Sequence, residues 1–194
     1  MKTTLFAFCF FLFLSYSYGQ SYFEAKIGFY NPTNYISKGA IGGLSWIKED
    51  LKNSYYFSIN SDFYFTQKTT IVNPATIYIS QQLLVFLPLY LDIAYKLISN
   101  EHEFLKLYLG CGAGIYIYYY RIQSIPIPII TLLAKKSDFK LGNSIFISPF
   151  MKLSYHKIFI EPRLFIDNKT EGEILGNKYS VNPSGYSVSI GYQY

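Results

Sequence analysis

The residues best suited to acid–base chemistry are the two histidines, His102 and His156. A catalytic histidine needs a nucleophile or carboxylate beside it, with both groups next to the reacting bond. Each histidine instead falls in a short segment between apolar stretches, and the two lie far apart in the chain. The sequence also lacks a phosphate-binding glycine motif and a cluster of metal ligands. We therefore expect no catalysis, no cofactor and no metal.

The charged residues follow a different pattern, because many of them alternate with apolar residues. Acidic and basic residues are equally frequent among these positions, which favours pairing, although counts this small leave an accidental equality open. Pairing matters because an isolated buried charge is strongly destabilising. We predict a structural charge network that consists of Glu24, Lys26, Asp62, Asp92, Lys96, Lys106, Lys152, Glu161, Arg163 and Asp167.

These charges lie in stretches with the two-residue period of β-strands. At the C-terminus, Tyr186, Val188 and Ile190 fall on one face of such a strand, while serine, glycine and glutamine fall on the other. Residues 39–47 show the period least clearly, so their register is left open. Eight stretches share the pattern: residues 23–30, 39–47, 55–66, 87–96, 105–117, 145–154, 158–167 and 186–194.

The composition indicates whether these strands lie in water or in lipid. Hydrophobic residues make up 51% of the chain and charged residues only 15%, whereas soluble domains carry about 25% charged residues. Past the N-terminus the longest apolar run, residues 83–91, contains Pro88 and stops at Asp92. Only helices and closed barrels satisfy all backbone polar groups in lipid. The sequence therefore predicts an all-β, eight-stranded antiparallel up-and-down transmembrane β-barrel.

The connections between the predicted strands differ at the two ends. Outward connections are expected at residues 31–38, 67–78, 121–139 and 168–185, and inward ones at 48–53, 98–103 and 156–157. Long loops at one end and short turns at the other are typical of outer-membrane barrels.

Alternation alone leaves the orientation of the apolar face open. A soluble lipocalin-like barrel has its apolar side chains inside, around a ligand. We favour the membrane orientation because the polar faces carry few charges and much glycine and serine. Aromatic residues also recur near the strand ends, as in interfacial girdles.

The N-terminal residues 1–19 have the features of a cleaved secretory signal peptide: Lys2, an apolar core and the small-x-small sequence Ser17-Tyr18-Gly19. The apolar run is shorter than the roughly 20 residues of a membrane-spanning helix. Cleavage removes Cys9 and leaves only Cys111, so no internal disulfide is expected. The predicted mature domain, residues 20–194, is then exported to the outer membrane of a Gram-negative bacterium.

Several segments resemble a known family. The segments LVFLPLYLDIAYKL and LKLYLGCGAGIYIYYY, the opening FEAKIGFYN and the late FIEPRLFID are similar to small outer-membrane β-barrel domains of Bacteroidota. These domains are called PorT-like and are related in type to OmpA- and OmpX-like eight-stranded barrels. The resemblance implies an integral outer-membrane location and recognition of the aromatic C-terminal strand by the barrel-assembly machinery. It transfers no catalytic or binding residue.

The third outward connection contains an apolar segment that is unusual for solvent. An exposed apolar patch often marks a contact site. The alternative, which we favour, is that the segment covers the barrel mouth or extends the neighbouring strands. The candidate contact loop consists of Ile125, Pro126, Ile127, Pro128, Ile129, Ile130, Leu132 and Leu133.

The expected function is a structural or cell-surface interaction role through the outward loops. A narrow channel is an alternative, although an eight-stranded interior is just wide enough for its own side chains. A secreted soluble ligand-binding barrel is another. The expected partner is membrane lipid. Lipopolysaccharide is a candidate partner, because its phosphates suit the basic residues near the outward loops; the alternative, which we favour slightly, is that these residues are solvated loop charges. Nucleic acid is not expected despite the formal charge of +5.

Overall fold

The computed structural model describes residues 19–33, 38–50, 54–73, 78–99, 104–126, 136–167, 170–174, 177–181 and 183–194. The predicted signal peptide, apart from Gly19, lies outside these residues. Among the described residues, no helix has the length and hydropathy needed to cross a bilayer. The strands are β1 (Gly19–Pro32), β2 (Gly39–Asp50), β3 (Tyr55–Asn73), β4 (Tyr78–Ser99), β5 (Leu105–Pro126), β6 (Lys136–Tyr155), β7 (Ile158–Asp167), β8 (Thr170–Ile174), β9 (Asn177–Val181) and β10 (Gly185–Gln193).

Eight of these strands form a closed antiparallel barrel in the order β1-β10-β7-β6-β5-β4-β3-β2. The C-terminal strand β10 closes it by pairing with both β1 and β7, and Tyr194 N donates to Phe23 O at 2.9 Å. The predicted fold class is therefore confirmed. The register of β2 is now defined, because Gly43 lies opposite Lys26 on β1 and Asp62 on β3.

Several predicted connections are wrong in their bounds. Strands β3 and β4 continue into the predicted connection 67–78, and β5 and β6 continue into 121–139. The predicted connection 168–185 contains a two-stranded hairpin, β8–β9. These segments are rich in Thr, Ser, Gln and Lys and lack regular apolar alternation. A ladder that is extended by backbone hydrogen bonds does not require that alternation.

The outer face of the barrel is apolar and the inner face polar or aromatic. Ile27, Leu44 and Ile145 are 65%, 66% and 74% exposed, while their neighbours Lys26, Ser45 and Phe146 are buried. This orientation is the reverse of a lipocalin-like barrel, in which the apolar residues line the interior.

The end of the barrel that contains the tight turn between β6 and β7 is called the turn end; the opposite end is the loop end. The turn between β6 and β7 consists of His156 and Lys157, and His156 has a φ of 51°. Ser54, which precedes β3, has a φ of 59°. Both residues thus adopt the left-handed conformation that short turns require.

The glycine run of β5 allows bulky neighbours on adjacent strands to approach its backbone. A Cβ atom added to Gly110 would lie 2.7 Å from Ala94 Cβ and 2.5 Å from Phe150 Cζ. A Cβ atom added to Gly112 would overlap Asp92 Oδ1 and would lie 2.8 Å from Ser148 Oγ. The run therefore provides space for packing inside the barrel.

We predict that Gly112→Ala destabilises the barrel by about 1–3 kcal/mol, because Asp92 and Ser148 must move to admit the methyl group. Gly42→Ala is the matched control, since the nearest atom to its added Cβ is Lys26 O at 3.6 Å. Urea unfolding of the refolded protein, followed by the fluorescence of the single tryptophan, Trp46, measures both variants. Equal stability of the two variants contradicts the packing argument.

Candidate functional site

The centre of the barrel holds a buried network of charges around Arg163 on β7. Its guanidinium donates to both carboxylate oxygens of Asp92 on β4, at 2.9 and 2.6 Å. It also donates to Glu161 Oε1 at 3.0 Å and to Ser148 Oγ on β6 at 2.9 Å. Arg163 therefore links three strands through bidentate and single charge-assisted bonds, the geometry in which such bonds are strongest.

Lys26 on β1 is the second cation of this network. Its ammonium lies 3.2 Å from Asp62 Oδ2 and 3.2 Å from Glu161 Oε1, and it donates to Tyr90 OH at 2.7 Å. Tyr90 OH in turn donates to Asp62 Oδ2 at 2.6 Å. Glu161 accepts from both Lys26 and Arg163, so the two cations belong to one continuous network.

A second buried pair lies closer to the turn end. Lys152 on β6 donates to Glu24 Oε1 on β1, and Gln193 Nε2 donates to the same oxygen at 2.8 Å. Lys152 Nζ also lies over the rings of Phe159 and Tyr56, at 4.3 and 5.3 Å from their centroids. The ammonium is therefore enclosed by a carboxylate and two aromatic faces.

A third cluster at the turn end contains a residue that the sequence prediction missed. Glu49 accepts from Tyr108 OH at 2.9 Å and lies 3.4 Å from Lys96 Nζ and 3.1 Å from Lys106 Nζ. The predicted β2 ended at Ile47, whereas the strand continues to Asp50. Continuing the alternation of the buried Ser45 and Ile47 by two residues identifies Glu49 as an inward position.

Aromatic layers fill the lumen on both sides of the central network. The layer towards the loop end consists of buried residues that contact one another: Tyr30, Ile41, Tyr64, Leu84, Phe86, Tyr90, Tyr116, Tyr118, Phe146 and Phe165. The layer towards the turn end consists of Ile47, Tyr56, Ala94, Tyr108 and Phe150. Within the described residues, the lumen is thus packed with side chains along most of its length.

The loop-end mouth is tied to the segment that follows the β8–β9 hairpin. Tyr30 OH donates to Pro183 O, and Tyr116 OH donates to the same oxygen at 3.4 Å. Ser184 Oγ donates to Asp167 O at 3.0 Å and accepts from Asp167 N at 3.0 Å. The base of the hairpin is therefore anchored in the barrel.

The remaining predicted residues have varied positions. Asp167 accepts from Ser144 Oγ at 2.6 Å at the loop end, away from the central network. His156 is exposed in its turn, with its ring 4.4 Å from that of Phe104. Ile125 and Pro126 pair in β5 with Ile79 and Tyr78. The rest of the candidate contact loop, residues 127–133, lies outside the described residues, and so does His102. Among the residues that the structure describes, no group of side chains could hold a metal ion.

The fold is similar to solved outer-membrane barrels. A major outer membrane protein from Thermus thermophilus matches with a TM-score of 0.53 and 14% identity over 90% of this chain and 100% of that one. Neisserial surface protein A matches with a TM-score of 0.51 and 13% identity over 90% and 97%. Ail of Yersinia pestis, in complex with the heparin analogue sucrose octasulfate, has a TM-score of 0.46 and 11% identity over 91% and 99%.

No protein-family model matches the sequence, and no curated protein matches it. At these identities the similarity concerns the fold: a closed eight-stranded barrel of the outer-membrane type.

We predict that Lys152→Met destabilises the barrel by about 3–5 kcal/mol, because it leaves the buried Glu24 carboxylate without its cation. The double variant Glu24→Gln/Lys152→Met should recover most of this loss, since no buried charge is then left unpaired. Lys157→Met, in the exposed turn, is the control and should change stability by at most about 1 kcal/mol. Urea unfolding in lipid vesicles measures all three variants. A double variant as unstable as Lys152→Met would show that packing, and not charge, is responsible.

Proposed function

We propose that the chain is an integral outer-membrane protein without enzymatic activity that acts as an interaction protein at the cell surface. The observation that carries this proposal is the unequal length of the barrel strands. β7 and β10 have 10 and 9 residues, about the 9–11 residues of a membrane-crossing strand. β3, β4, β5 and β6 have 19, 22, 22 and 20 residues.

The membrane location is supported by the surface of the barrel. Its exposed face carries isoleucine, leucine and phenylalanine along every barrel strand for which side chains are described, while buried ion pairs occupy the lumen. Aromatic residues lie outside near the strand ends, with Tyr55, Tyr95, Tyr155 and Tyr192 at the turn end and Phe29 and Tyr186 at the loop end. Such girdles are typical of the two membrane interfaces.

The additional residues of β3–β6 all lie at the loop end. Pairing of β2 with β3 ends at Ile41↔Tyr64, and pairing of β6 with β7 ends at Phe146↔Asp167. The ladders β3–β4, β4–β5 and β5–β6 continue to Asn73↔Tyr78, Tyr78↔Pro126 and Ser124↔Lys136. The four strands thus form a projecting sheet, which comprises residues 65–73, 78–85, 119–126 and 136–145. Leu84, at its base, still belongs to the loop-end aromatic layer.

The projecting sheet extends about 30 Å along the strands, at about 3.3 Å per residue. Among the described residues, β3 has no ladder partner on its outer side after Tyr64, whereas β8 approaches β6 on the opposite side. An open strand edge is a template for adding an extended segment of another chain. The partner class that suits this edge is therefore an extended polypeptide segment.

The other expected partners follow from the proposed location. Basic residues in the sequence near the loop end, which include Lys38, Lys68, Lys136, Lys140 and Lys178, suit the phosphates of lipopolysaccharide. Export by a cleaved signal peptide, membership of the PorT-like group of Bacteroidota and recognition of β10 by the barrel-assembly machinery belong to the same proposal. Ile125 and Pro126, the first two residues of the candidate contact loop, pair with β4 within the projecting sheet.

The packed lumen argues against the channel alternative. Aromatic layers lie on both sides of the Arg163–Asp92 and Lys26–Asp62 pairs, and these side chains are almost completely buried. Water or ions could pass only if this packing were broken. The outward apolar faces likewise argue against a secreted soluble barrel.

We expect the protein to remain in the membrane pellet after carbonate extraction and to show heat-modifiable mobility in SDS gels. Trypsin added to intact cells should cleave at loop-end lysines such as Lys178 and leave the turn-end Lys157 uncut. Permeabilising the outer membrane is the control and should expose Lys157. Mass spectrometry of the fragments locates the cuts. Recovery in the soluble fraction, or cleavage at Lys157 in intact cells, contradicts the proposed location or orientation.

We expect Thr69→Pro to weaken the binding of extended peptides by at least about fivefold, the effect of one net main-chain hydrogen bond. In the β3–β4 ladder, Thr70 pairs with Ser80 and Thr69 with Gln81. The loss of pairing at Pro88 shows that even-numbered β3 residues bond to β4, so the N–H of Thr69 points to the open edge. Binding of an arrayed library of unstructured peptides to the solubilised barrel provides the measurement.

Thr69→Ala is the control for the loss of the side chain and should bind as the original chain does. Thr70→Pro removes a backbone hydrogen bond between β3 and β4 and should lower the stability of that ladder. Strand addition is excluded if no peptide binds the original chain, or if Thr69→Pro binds as well as Thr69→Ala.

A further inference from the structure

Three prolines stand inside barrel strands: Pro88 in β4, Pro149 in β6 and Pro162 in β7. Proline has no N–H and removes a ladder hydrogen bond wherever its nitrogen faces the neighbouring strand, so it is normally confined to strand edges and bulges. A closed barrel has no edges. The side to which each nitrogen points therefore decides which junction of the wall is weakened.

Pro149 and Pro162 weaken the same junction. Pairing of β6 with β7 runs from Phe146↔Asp167 to Tyr155↔Ile158, with gaps on both sides of the pair Phe150↔Arg163. The gaps comprise the pairs of Pro149 with Leu164 and of Met151 with Pro162, and one further pair beside each. On their other sides both prolines pair without a gap, Pro149 with Cys111 and Pro162 with Val188. Both nitrogens thus face the β6–β7 seam.

The missing donors leave two carbonyl groups, those of Leu164 and Met151, without their ladder partners. The side chains around them on the outer wall, including Ile147, Leu153 and Ile160, are exposed and apolar. In the proposed membrane setting no water is present to replace the lost bonds. Contacts other than backbone hydrogen bonds must therefore provide the cohesion between β6 and β7.

That cohesion comes from the lumen, where side chains of β6 and β7 contact one another along the whole seam. Arg163 Nη1 donates to Ser148 Oγ at 2.9 Å, and its guanidinium lies 4.1 Å from the ring centroid of Phe150. Lys152 Nζ lies 4.3 Å from the ring centroid of Phe159. Ser144 Oγ donates to Asp167 at 2.6 Å. We call these contacts the lumen clasp.

We propose that the β6–β7 junction is a latched lateral seam, at which the barrel wall opens first towards the bilayer and which the lumen clasp holds closed. Arg163 connects the lumen clasp to the rest of the barrel, because its Nη2 lies 2.6 Å from Oδ2 of Asp92 on β4. Opening the seam therefore requires the central charge network to rearrange.

The β3–β4 junction has only one such loss, at Pro88, whose pair with Asp62 is absent from the ladder. Lumen contacts also bridge this junction: Tyr90 OH donates to Asp62 Oδ2 at 2.6 Å, and Asn60 Nδ2 donates to Asp92 Oδ2 at 3.0 Å. The junction thus provides an internal comparison with a single missing bond.

Amide hydrogen exchange in lipid nanodiscs, resolved by residue, tests the proposal. The amides of Met151 and Leu164, which face the seam, should exchange faster than those of Ser148 and Phe150, which face β5. Pro149→Ala/Pro162→Ala restores both donors and should slow exchange of Met151 and Leu164 by at least about fivefold, the effect of one net hydrogen bond. Pro88→Ala is the matched control and should leave these amides unchanged.

The role of the clasp is tested by Ser148→Ala, a small change that removes one bond across the seam and leaves the ion pairs of Arg163 intact. Exchange at Met151 and Leu164 should rise in the original chain and rise less in the Pro149→Ala/Pro162→Ala background, because contacting residues act non-additively. Equal effects in the two backgrounds, or seam amides that exchange no faster than those facing β5, overturn the proposal.

Discussion

The barrel depends on the requirement that backbone and charged groups find partners within the wall and lumen. In hydrocarbon no water replaces a missing bond, so the eight strands must close into a ring. β10 meets this requirement by pairing with β7 and β1 at once. The same requirement explains the interior: once the apolar side chains face outward, Lys26, Asp62, Asp92 and Arg163 are enclosed and must neutralise one another, as their distances of 2.6–3.2 Å show.

The number of barrel strands could be predicted because a two-residue period leaves a direct record in the sequence. The outward direction of the apolar face could be predicted only with the composition and the aromatic residues near the strand ends. β7 was predicted to the residue, 158–167, since one face is apolar along its whole length and charged residues recur on the other. The inward position of Arg163 and Glu161 followed from the same period. Which acid meets which base could not be predicted, because Lys26 contacts Asp62 and Glu161 from distant parts of the chain and only barrel closure brings them together.

The errors have a common physical origin. The loop-end parts of β3–β6 and the β8–β9 hairpin are held by backbone hydrogen bonds, and those bonds require no particular side-chain pattern. Glu49 was missed because it stands in the charged run Lys48-Glu49-Asp50 at the end of β2, where no apolar residue continues the alternation. The prolines illustrate the converse: their positions were visible in the sequence, but the seam that each one weakens depends on strand direction and register.

The loop-end aromatic layer connects the charge network in the lumen to the segment below the β8–β9 hairpin. Tyr90 belongs to the loop-end aromatic layer and also donates to Asp62 in the charge network. Tyr30 and Tyr116 of that layer donate to Pro183 below the β8–β9 hairpin. A rigid lumen therefore fixes the base of the hairpin, and continuous ladders fix the projecting sheet to the same wall. A lumen packed in this way argues against a conduit. It agrees with the proposed function, in which the β3 edge is held outside the membrane at low entropic cost to a binding partner. The packed interior and the end of the described β2–β3 ladder at Tyr64 thus support the same proposed function.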